Sequence, residues 1–534
     1  MFFHHKPWQK IVNGIKLTIK WFSKLKELIS GWILKSTKGY WFLCYVPVFV
    51  IPLLFFIAIK YPFPSGFAGL YTLMAEKIAE SHFNLPLIIP FYGPGGIPFA
   101  YPPVGLYIMA IVTSIPGVSE FDYLRFAPPV FMLLATIPIS LISFRYTRSR
   151  LAAVITPVIV AGAQRIFMIQ GTSGGIVRGL AFLFAVLSIY FFLIGIQHEK
   201  RVNNILSGVW FGLTILTHLG YAEFVALFFA AYLFTHLFSR RVWLTILITG
   251  GVSICLIAPW FIVIFQRYGP SVLAGAFQSH GNDYFILIWQ DFQKLIPWLE
   301  NSLRPLLRMQ YFWGMIILGL IYSLFRGYKE LLVWFALLLV FTSEGDRYLI
   351  TVGAFLVGFV IEAVSTRLFN QELALENNWL KVGFSLIMLS IFFYYGWTSI
   401  TSENQPVINR SSMDVSKYIK ASTPKESTYI IVAEADEAEW FPFLLERTPA
   451  IASWGGEWIG TYNAQMSLLL EVIYCKEVNS ASCLNNVMLQ LPDIPDYLIT
   501  HTNENELNNG LIAHHFWIEN YRNDQYIVWS HLSQ

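Results

Sequence analysis

The sequence predicts a polytopic α-helical membrane protein with about 11 transmembrane helices and a small C-terminal α/β extracytoplasmic domain. Three observations predict it. Hydrophobic residues make up 55% of the 534 residues and charged residues 13%, against about 25% charge in a soluble domain. Many apolar runs approach the ~20 residues that a helix needs to cross hydrocarbon. Basic residues fall on alternate loops, as the positive-inside rule requires.

Residues 1–40 hold eight lysines, from Lys6 to Lys38, against the single acid Glu27. Trp8, Ile11, Ile15, Ile19, Phe22, Leu25 and Ile29 recur among them at helical spacing. That pattern predicts a basic amphipathic cytoplasmic or interfacial segment on an anionic leaflet. The first long apolar run starts only near Trp41, so the segment reads as an uncleaved anchor and not as a signal peptide.

Candidate spans fall near 41–59, 125–144, 150–168, 178–197, 205–217, 222–238, 242–265, 310–325, 331–343, 347–364 and 380–400. Tyr101–Ile115 is also apolar, but it opens on Pro102-Pro103 and ends at Pro116-Gly117. If it lies flat outside the membrane, Arg145/Arg148/Arg150, Lys200/Arg201, Arg240/Arg241, Arg326/Lys329 and Arg367 all share the side of the lysine-rich N-terminus. If it crosses, every one of these clusters moves to the opposite side. The rule selects the flat helix. The membrane region then covers 41–400, with external loops 60–124, 164–178 and 266–309, a cytoplasmic N-terminus in the plasma membrane and an external C-terminus.

The tail, 401–534, changes composition. Tyr429-Ile-Ile-Val-Ala, Tyr497-Leu-Ile-Thr and Tyr526-Ile-Val-Trp predict strands, and Met413–Ile419 and Asn463–Tyr474 predict helices. Cys475 and Cys483 lie close together in this external region, which suits a disulfide. Cys44 and Cys255 fall within spans, where a cysteine serves as a small apolar residue. No Cys/His array has zinc spacing, and neither a P-loop nor a dinucleotide fingerprint is present. A nucleic-acid partner is not expected.

Ionisable residues at membrane depth or at the mouth of a helical bundle are functional candidates. Glu76 and Glu80, four apart on one helix face with His82 just beyond, form a candidate catalytic carboxylate pair; the same spacing suits the solvated face of an interfacial helix. Residues 92–103, Tyr-Gly-Pro-Gly-Gly-Ile-Pro-Phe-Ala-Tyr-Pro-Pro, combine glycines that allow close backbone approach with prolines that fix the chain. In the second external loop Arg165 and Arg178 flank the turn Gly171-Thr-Ser-Gly-Gly, an arrangement suited to a phosphate. His218 and Glu223 sit on one tight turn between spans, and Asp346 and Arg347 on another, beside Glu344. Arg267, His280, Asp283 and Asp291 are polar candidates in the third external loop. In the tail, Glu439-Trp-Phe-Pro-Phe and Trp454-Gly-Gly-Glu-Trp458 set acids beside aromatics, as sugar contacts or as interfacial anchors.

Several of these segments, in this order, resemble the GT-C superfamily of membrane glycosyltransferases, which includes protein O-mannosyltransferases and aminoarabinose transferases. They are Leu70-Tyr-Thr-Leu-Met-Ala-Glu-Lys-Ile-Ala, Tyr101-Pro-Pro-Val-Gly-Leu-Tyr, Asp122-Tyr-Leu-Arg-Phe-Ala-Pro, Gly212-Leu-Thr-Ile-Leu-Thr-His218, Ala258-Pro-Trp-Phe and Asp346-Arg-Tyr. The tail segment from Glu439 to Thr448, followed by Gly456-Glu-Trp, is similar to tails of prokaryotic branches. The resemblance implies a polyprenyl-phosphate sugar donor, an external active site, and a lipid, glycan or protein acceptor. Arg178 and Arg347 match family positions that hold the donor phosphate; Arg165, at the same external mouth, is a further phosphate candidate, and Tyr101, His218, Glu223, Arg267 and Asp346 are further cavity candidates. The family places an acid just after the first span, where it activates the acceptor or binds a divalent cation. Residues 61–69, Tyr-Pro-Phe-Pro-Ser-Gly-Phe-Ala-Gly, contain none, and 164–178 contain only arginines. Three readings therefore stand side by side: a transferase, a divergent relative that binds lipid-linked glycan without transfer, and a transporter. Against the transporter, no repeat and no mid-span charge is evident.

Overall fold

A computed structural model describes residues 41–279, 310–342, 346–368, 378–452, 454–513 and 516–532. The basic segment 1–40, His280, Asp283, Asp291 and Glu344 lie outside the described residues.

A helix stands at each of the eleven expected positions. In chain order these are α1 (Val46–Lys60), α2 (Glu120–Thr147), α3 (Arg150–Gly162), α4 (Gly175–His198), α5 (Arg201–Ile215), α6 (Leu219–Thr235), α7 (Arg240–Tyr268), α8 (Gln310–Arg326), α9 (Lys329–Phe341), α10 (Asp346–Leu368) and α11 (Asn378–Glu403). Six stretches among the described residues are long and apolar enough to cross a bilayer: Phe42–Lys60, Glu120–Thr147, Gly175–His198, Arg240–Tyr268, Asp346–Leu368 and Gly383–Ser402. A seventh is a broken pair, Arg150–Gly162 with Gln164–Gly171, bent by 61°. The other expected crossings are shorter helices; α6 and α8 have 17 residues each. At 1.5 Å per residue those reach about 26 Å, short of the ~30 Å hydrocarbon core. Length and composition thus carry six or seven of the eleven spans.

Two further helices belong to the first long loop, α12 (Gly69–Glu80) and α13 (Val104–Thr113). α13 has 10 residues, about 15 Å, too short to cross. This is the apolar piece that the charge argument kept out of the membrane. Between them β1 (Ile88–Ile89) pairs antiparallel with β2 (Ile97–Pro98).

The tail holds a five-stranded sheet in the order β4-β3-β5-β7-β6, from β3 (Thr428–Ile431), β4 (Thr448–Pro449), β5 (Tyr497–His501), β6 (Trp517–Arg522) and β7 (Tyr526–His531). β3 runs parallel to β4 and β5, and β7 runs antiparallel to β5 and β6. Side chains alternate across a strand, and they fill two cores accordingly. Ile430, Leu498, Ile527 and Trp529 pack on one face, and Tyr429, Ile431, Ile499 and Val528 on the other. Helix α14 (Arg410–Ser422) opens on a reciprocal Asn409/Ser412 capping box. α15 (Ala435–Leu445) follows β3, and α16 (Tyr462–Glu477) and α17 (Ala481–Met488) are joined by the disulfide Cys475–Cys483.

The tail does not hang free of the membrane region. Both carboxylate oxygens of Glu439 on α15 accept from the start of α12, Gly69 N–H at 2.7 Å and Leu70 N–H at 2.7 Å. Trp440 donates its indole N–H to Gly66 O at 2.8 Å, and Tyr92 donates its hydroxyl to Glu439 O at 2.8 Å. Trp440, Leu444 and Trp458 share one apolar core with Tyr71, Tyr92 and Phe99 of the first loop.

Candidate functional site

The docked tail and the ends of several membrane helices enclose a cavity of about 380 Å³. From the helices of the membrane region it is lined by Arg178, Arg347, His218 and Glu223, and from the tail by Glu439, Trp454, Glu457, Trp458 and Tyr462; Phe67, Tyr71 and Tyr101 of the first loop line it as well.

Arg178 lies in the first turn of α4. The glycine- and serine-rich turn before it does not form an open nest for an anion. Ser173 donates its N–H and its hydroxyl to Ser65 O, at 2.9 and 2.7 Å. The turn is thereby tied to the chain after the first span, and a Cβ on Gly66, whose φ is +74°, would sit 2.8 Å from Thr172 Oγ1. This contact presents Phe67 to the cavity, with the Arg178 guanidinium over its ring at 4.7 Å. Such a cation–π contact contributes about 0.5–2 kcal/mol.

Arg347 is buried in the first turn of α10, with 3% of its surface exposed. It lies over the rings of Tyr348 and Tyr221 at 4.8 and 5.5 Å, and one of its terminal nitrogens donates to Tyr348 Oη at 3.1 Å. Asp346 accepts the Arg347 backbone N–H at 2.7 Å and pairs with Arg165 at 2.7 Å. Arg165 therefore sits on Asp346, half exposed, and neither residue lines the cavity. The bend after α3 separates Arg165 from Arg178, although the sequence sets both in one short loop.

His218 caps α6, its Nδ1 accepting from Gly220 N–H at 3.1 Å, so the neutral ring carries its proton on Nε2. Glu223, in the second turn of α6, shares the cavity with it. Tyr101 and Tyr71 exchange a hydrogen bond at 3.0 Å, and the Tyr101 ring meets those of His218 and Trp458 edge-on, with centroids at 6.4 and 6.0 Å. Burial raises both hydroxyl pKa values, with Arg178 pulling the other way.

The remaining expected residues lie elsewhere. Arg267 donates to Leu85 O and Pro86 O at 2.9 and 3.2 Å and holds the first loop. Glu80 pairs with Lys77 at 2.6 Å on the exposed end of α12. Burial, then the charges of Glu120 and Glu80, push the Glu76 carboxyl up to about 7, yet it is not among the cavity-lining residues. Tyr71 lines the cavity from the start of the same helix; Glu76 and Glu80 follow it by roughly 8 and 14 Å along the axis. No group of three or more His, Cys, Asp or Glu side chains among the described residues is arranged to hold a metal ion. The donor set among the described residues does not fit a divalent cation. Glu439 and Glu457, by contrast, reach the cavity from the tail. Their sequence signal was the pairing of acids with aromatics in Glu439-Trp and Glu457-Trp.

Residues 100–263 match the family described as dolichyl-phosphate-mannose-protein mannosyltransferase. No curated protein matches the chain. Among solved structures, the chain is similar to the oligosaccharyltransferase AglB of Archaeoglobus fulgidus, in complex with an inhibitory peptide and a dolichol-phosphate. That match has 16% identity and a TM-score of 0.61, over 87% of this chain and 70% of AglB. It is also similar to ArnT of Cupriavidus metallidurans bound to undecaprenyl phosphate, with 14% identity and a TM-score of 0.54, over 92% of this chain and 98% of ArnT. A third similar structure is the mycobacterial arabinofuranosyltransferase AftD, with 12% identity and a TM-score of 0.53, over 93% of this chain and 40% of AftD.

Proposed function

We propose, on the premise that this chain is built on the GT-C fold of membrane glycosyltransferases, that it moves a sugar from a polyprenyl-phosphate donor to a lipid, glycan or protein acceptor. The N-terminus would be cytoplasmic and the cavity external, which the distribution of basic loop residues supports. The observation that carries the reading is that Arg178 and Arg347 line one cavity together with carboxylates and aromatic rings. Similar folds bind dolichol-phosphate or undecaprenyl phosphate.

Glycosyl transfer breaks the bond between the anomeric carbon and the phosphate oxygen, and negative charge collects on the departing phosphate. Two guanidinium groups stabilise that charge. The rings of Trp454, Trp458, Tyr101 and Tyr462 offer faces and edges on which a sugar packs. Arg165 takes no direct part in this scheme, because it is paired with Asp346 outside the cavity.

The test follows release of polyprenyl phosphate from labelled polyprenyl-phosphate sugars by the purified protein, with an envelope extract of the source organism as acceptor pool. Arg178→Ala and Arg347→Ala should each weaken polyprenyl-phosphate binding by roughly 10- to 150-fold, the loss of one charge-assisted contact of about 1.5–3 kcal/mol. Arg165→Ala should weaken it less. Lipid binding without any turnover in the wild type would reject transfer in favour of a binding protein.

A further inference from the structure

We propose that Glu457, carried by the C-terminal domain, is the general base that takes the proton of the acceptor. The inference rests on the transfer reading and names the group which that reading lacks.

The loop after the first span brings Phe67, not a carboxylate, to the cavity. Among the described residues three carboxylates line it instead: Glu223, Glu439 and Glu457. Glu439 has both oxygens engaged by the N–H groups of Gly69 and Leu70, at 2.7 Å each. Those two contacts hold the first turn of α12, so this carboxyl serves the docking of the tail. Glu223 lies in the electrostatic reach of Arg347, one of the two arginines that the transfer reading assigns to the departing phosphate, and in this scheme it stays with the leaving group.

Glu457 lines the cavity from the tail. It sits in the short turn Gly456–Trp458, next to the Trp458 ring that meets Tyr101 edge-on. The Tyr71 and Tyr101 hydroxyls lie in electrostatic reach of both Glu457 and Arg178. The turn is built into its surroundings. Gly455 has φ +83°, and a Cβ there would approach Ile97 Cδ1 to 2.3 Å. Thr461 N–H donates to Gly456 O at 2.9 Å, and a Cβ on Gly275 would lie 3.2 Å from Glu457 O. The carboxylate is thus held at the cavity by a turn wedged between the first loop, the segment after α7 and the start of α16.

In the step, the acceptor hydroxyl or amine attacks the anomeric carbon while its proton passes to a Glu457 carboxylate oxygen. The bond from the anomeric carbon to the phosphate oxygen breaks, and its electron pair stays on the polyprenyl phosphate between Arg178 and Arg347. The products are the glycosylated acceptor, polyprenyl phosphate and protonated Glu457, which returns its proton to water.

Glu457→Gln keeps the shape and removes the base. It should lower the rate of polyprenyl-phosphate release by about 100-fold or more, the usual scale for a lost general base, and erase the acid limb of the pH–rate profile. Polyprenyl-phosphate binding should stay within about twofold of wild type, since the arginines are untouched. Azide attacks without surrendering a proton, so it should restore release in Glu457→Ala. Wild-type turnover that persists in Glu457→Gln, or an acid limb lost in Glu223→Gln instead, overturns the base and leaves the transfer reading standing. A Glu457→Ala protein that binds lipid normally but stays inactive with azide assigns Glu457 a purely structural part, which also overturns it. Absence of wild-type turnover with every donor overturns both.

Discussion

Replacing Glu439 separates the tail from the membrane region at a defined point. Glu439→Ala leaves the N–H groups of Gly69 and Leu70, both buried, without their acceptor. Each buried orphan costs about 1–3 kcal/mol, so the pair costs about 2–6 kcal/mol. Glu439→Gln retains one carbonyl acceptor and turns an NH₂ toward the other N–H, for about half that loss. Gly69→Ala strikes the same contact from the opposite side. Its Cβ would lie 2.7 Å from Glu439 O, 2.8 Å from Tyr92 Oη and 2.9 Å from Trp440 Cα, an overpacking of about 1–3 kcal/mol.

Thermal unfolding in detergent at pH 6, followed by tryptophan fluorescence, reads this loss directly, because Trp440 and Trp458 lie in the shared core. At roughly 2–4 °C per kcal/mol, Glu439→Ala should melt at least ~4 °C below wild type, with Glu439→Gln between the two. Limited proteolysis should release the tail from Glu439→Ala before the membrane helices are cut. A Glu439→Ala protein that melts within about 1 °C of wild type, a shift worth less than half a kcal/mol, with an unchanged digestion pattern would refute the clamp.

The tail should lose stability as pH rises through neutrality. Burial pushes the Glu504 and Glu439 carboxyls up to about 7 from 4.5; a group raised on folding contributes fully below its unfolded pKa and loses that contribution as pH rises through the folded one. Burial alone would lower His501, but its hydrogen bond to Glu437 and that residue's charge raise it above 6.5, so its contribution falls in the same direction. Melting at pH 5 should exceed melting at pH 8.5, and Glu504→Gln should flatten the profile; a wild-type melting point that rises over this interval would contradict the sign. Reducing Cys475–Cys483, a sequence separation of 8, should cost about 2–3 kcal/mol by loop entropy; calorimetry of Cys475→Ser/Cys483→Ser checks it, and an unchanged melt would mean that the reduced loop stays ordered.

Much of the architecture is legible in the sequence because apolar runs and alternating basic loops are local or additive signals. They locate all eleven helices and set residues 101–115 apart from them, where the helix has 10 residues. The strands around Tyr429, Tyr497 and Tyr526 also follow from local alternation, whereas β4, only two residues long, and β6, largely exposed, leave no such trace. The candidate site was half legible. Arg178, Arg347, Tyr101, His218 and Glu223 all lie at the ends of apolar runs, where a polar residue is conspicuous, and all five line the cavity. Arg165 has the same local signal, and only the 61° break after α3 turns it onto Asp346. Glu76 and Glu80 have helical spacing in their favour, but spacing along α12 does not reveal which end of that helix meets the cavity. Glu439 and Gly69 are 370 residues apart, and no periodicity encodes a contact of that range.

The clamp and the cavity are consequences of one contact. Glu439 orders the first turn of α12, and that turn presents Leu70 and Tyr71 to the cavity. The same docked domain brings Trp454, Glu457 and Trp458 to the cavity. On the transfer reading, a loop that presents Phe67 in place of an acid leaves the base to another part of the chain. Supplying it from the tail, as proposed for Glu457, would couple chemistry to docking: the arginines belong to the membrane helices and should retain anionic lipid when the tail loosens, while transfer should fail. Binding and turnover therefore part company in a docking variant, whereas loss of an arginine weakens both together.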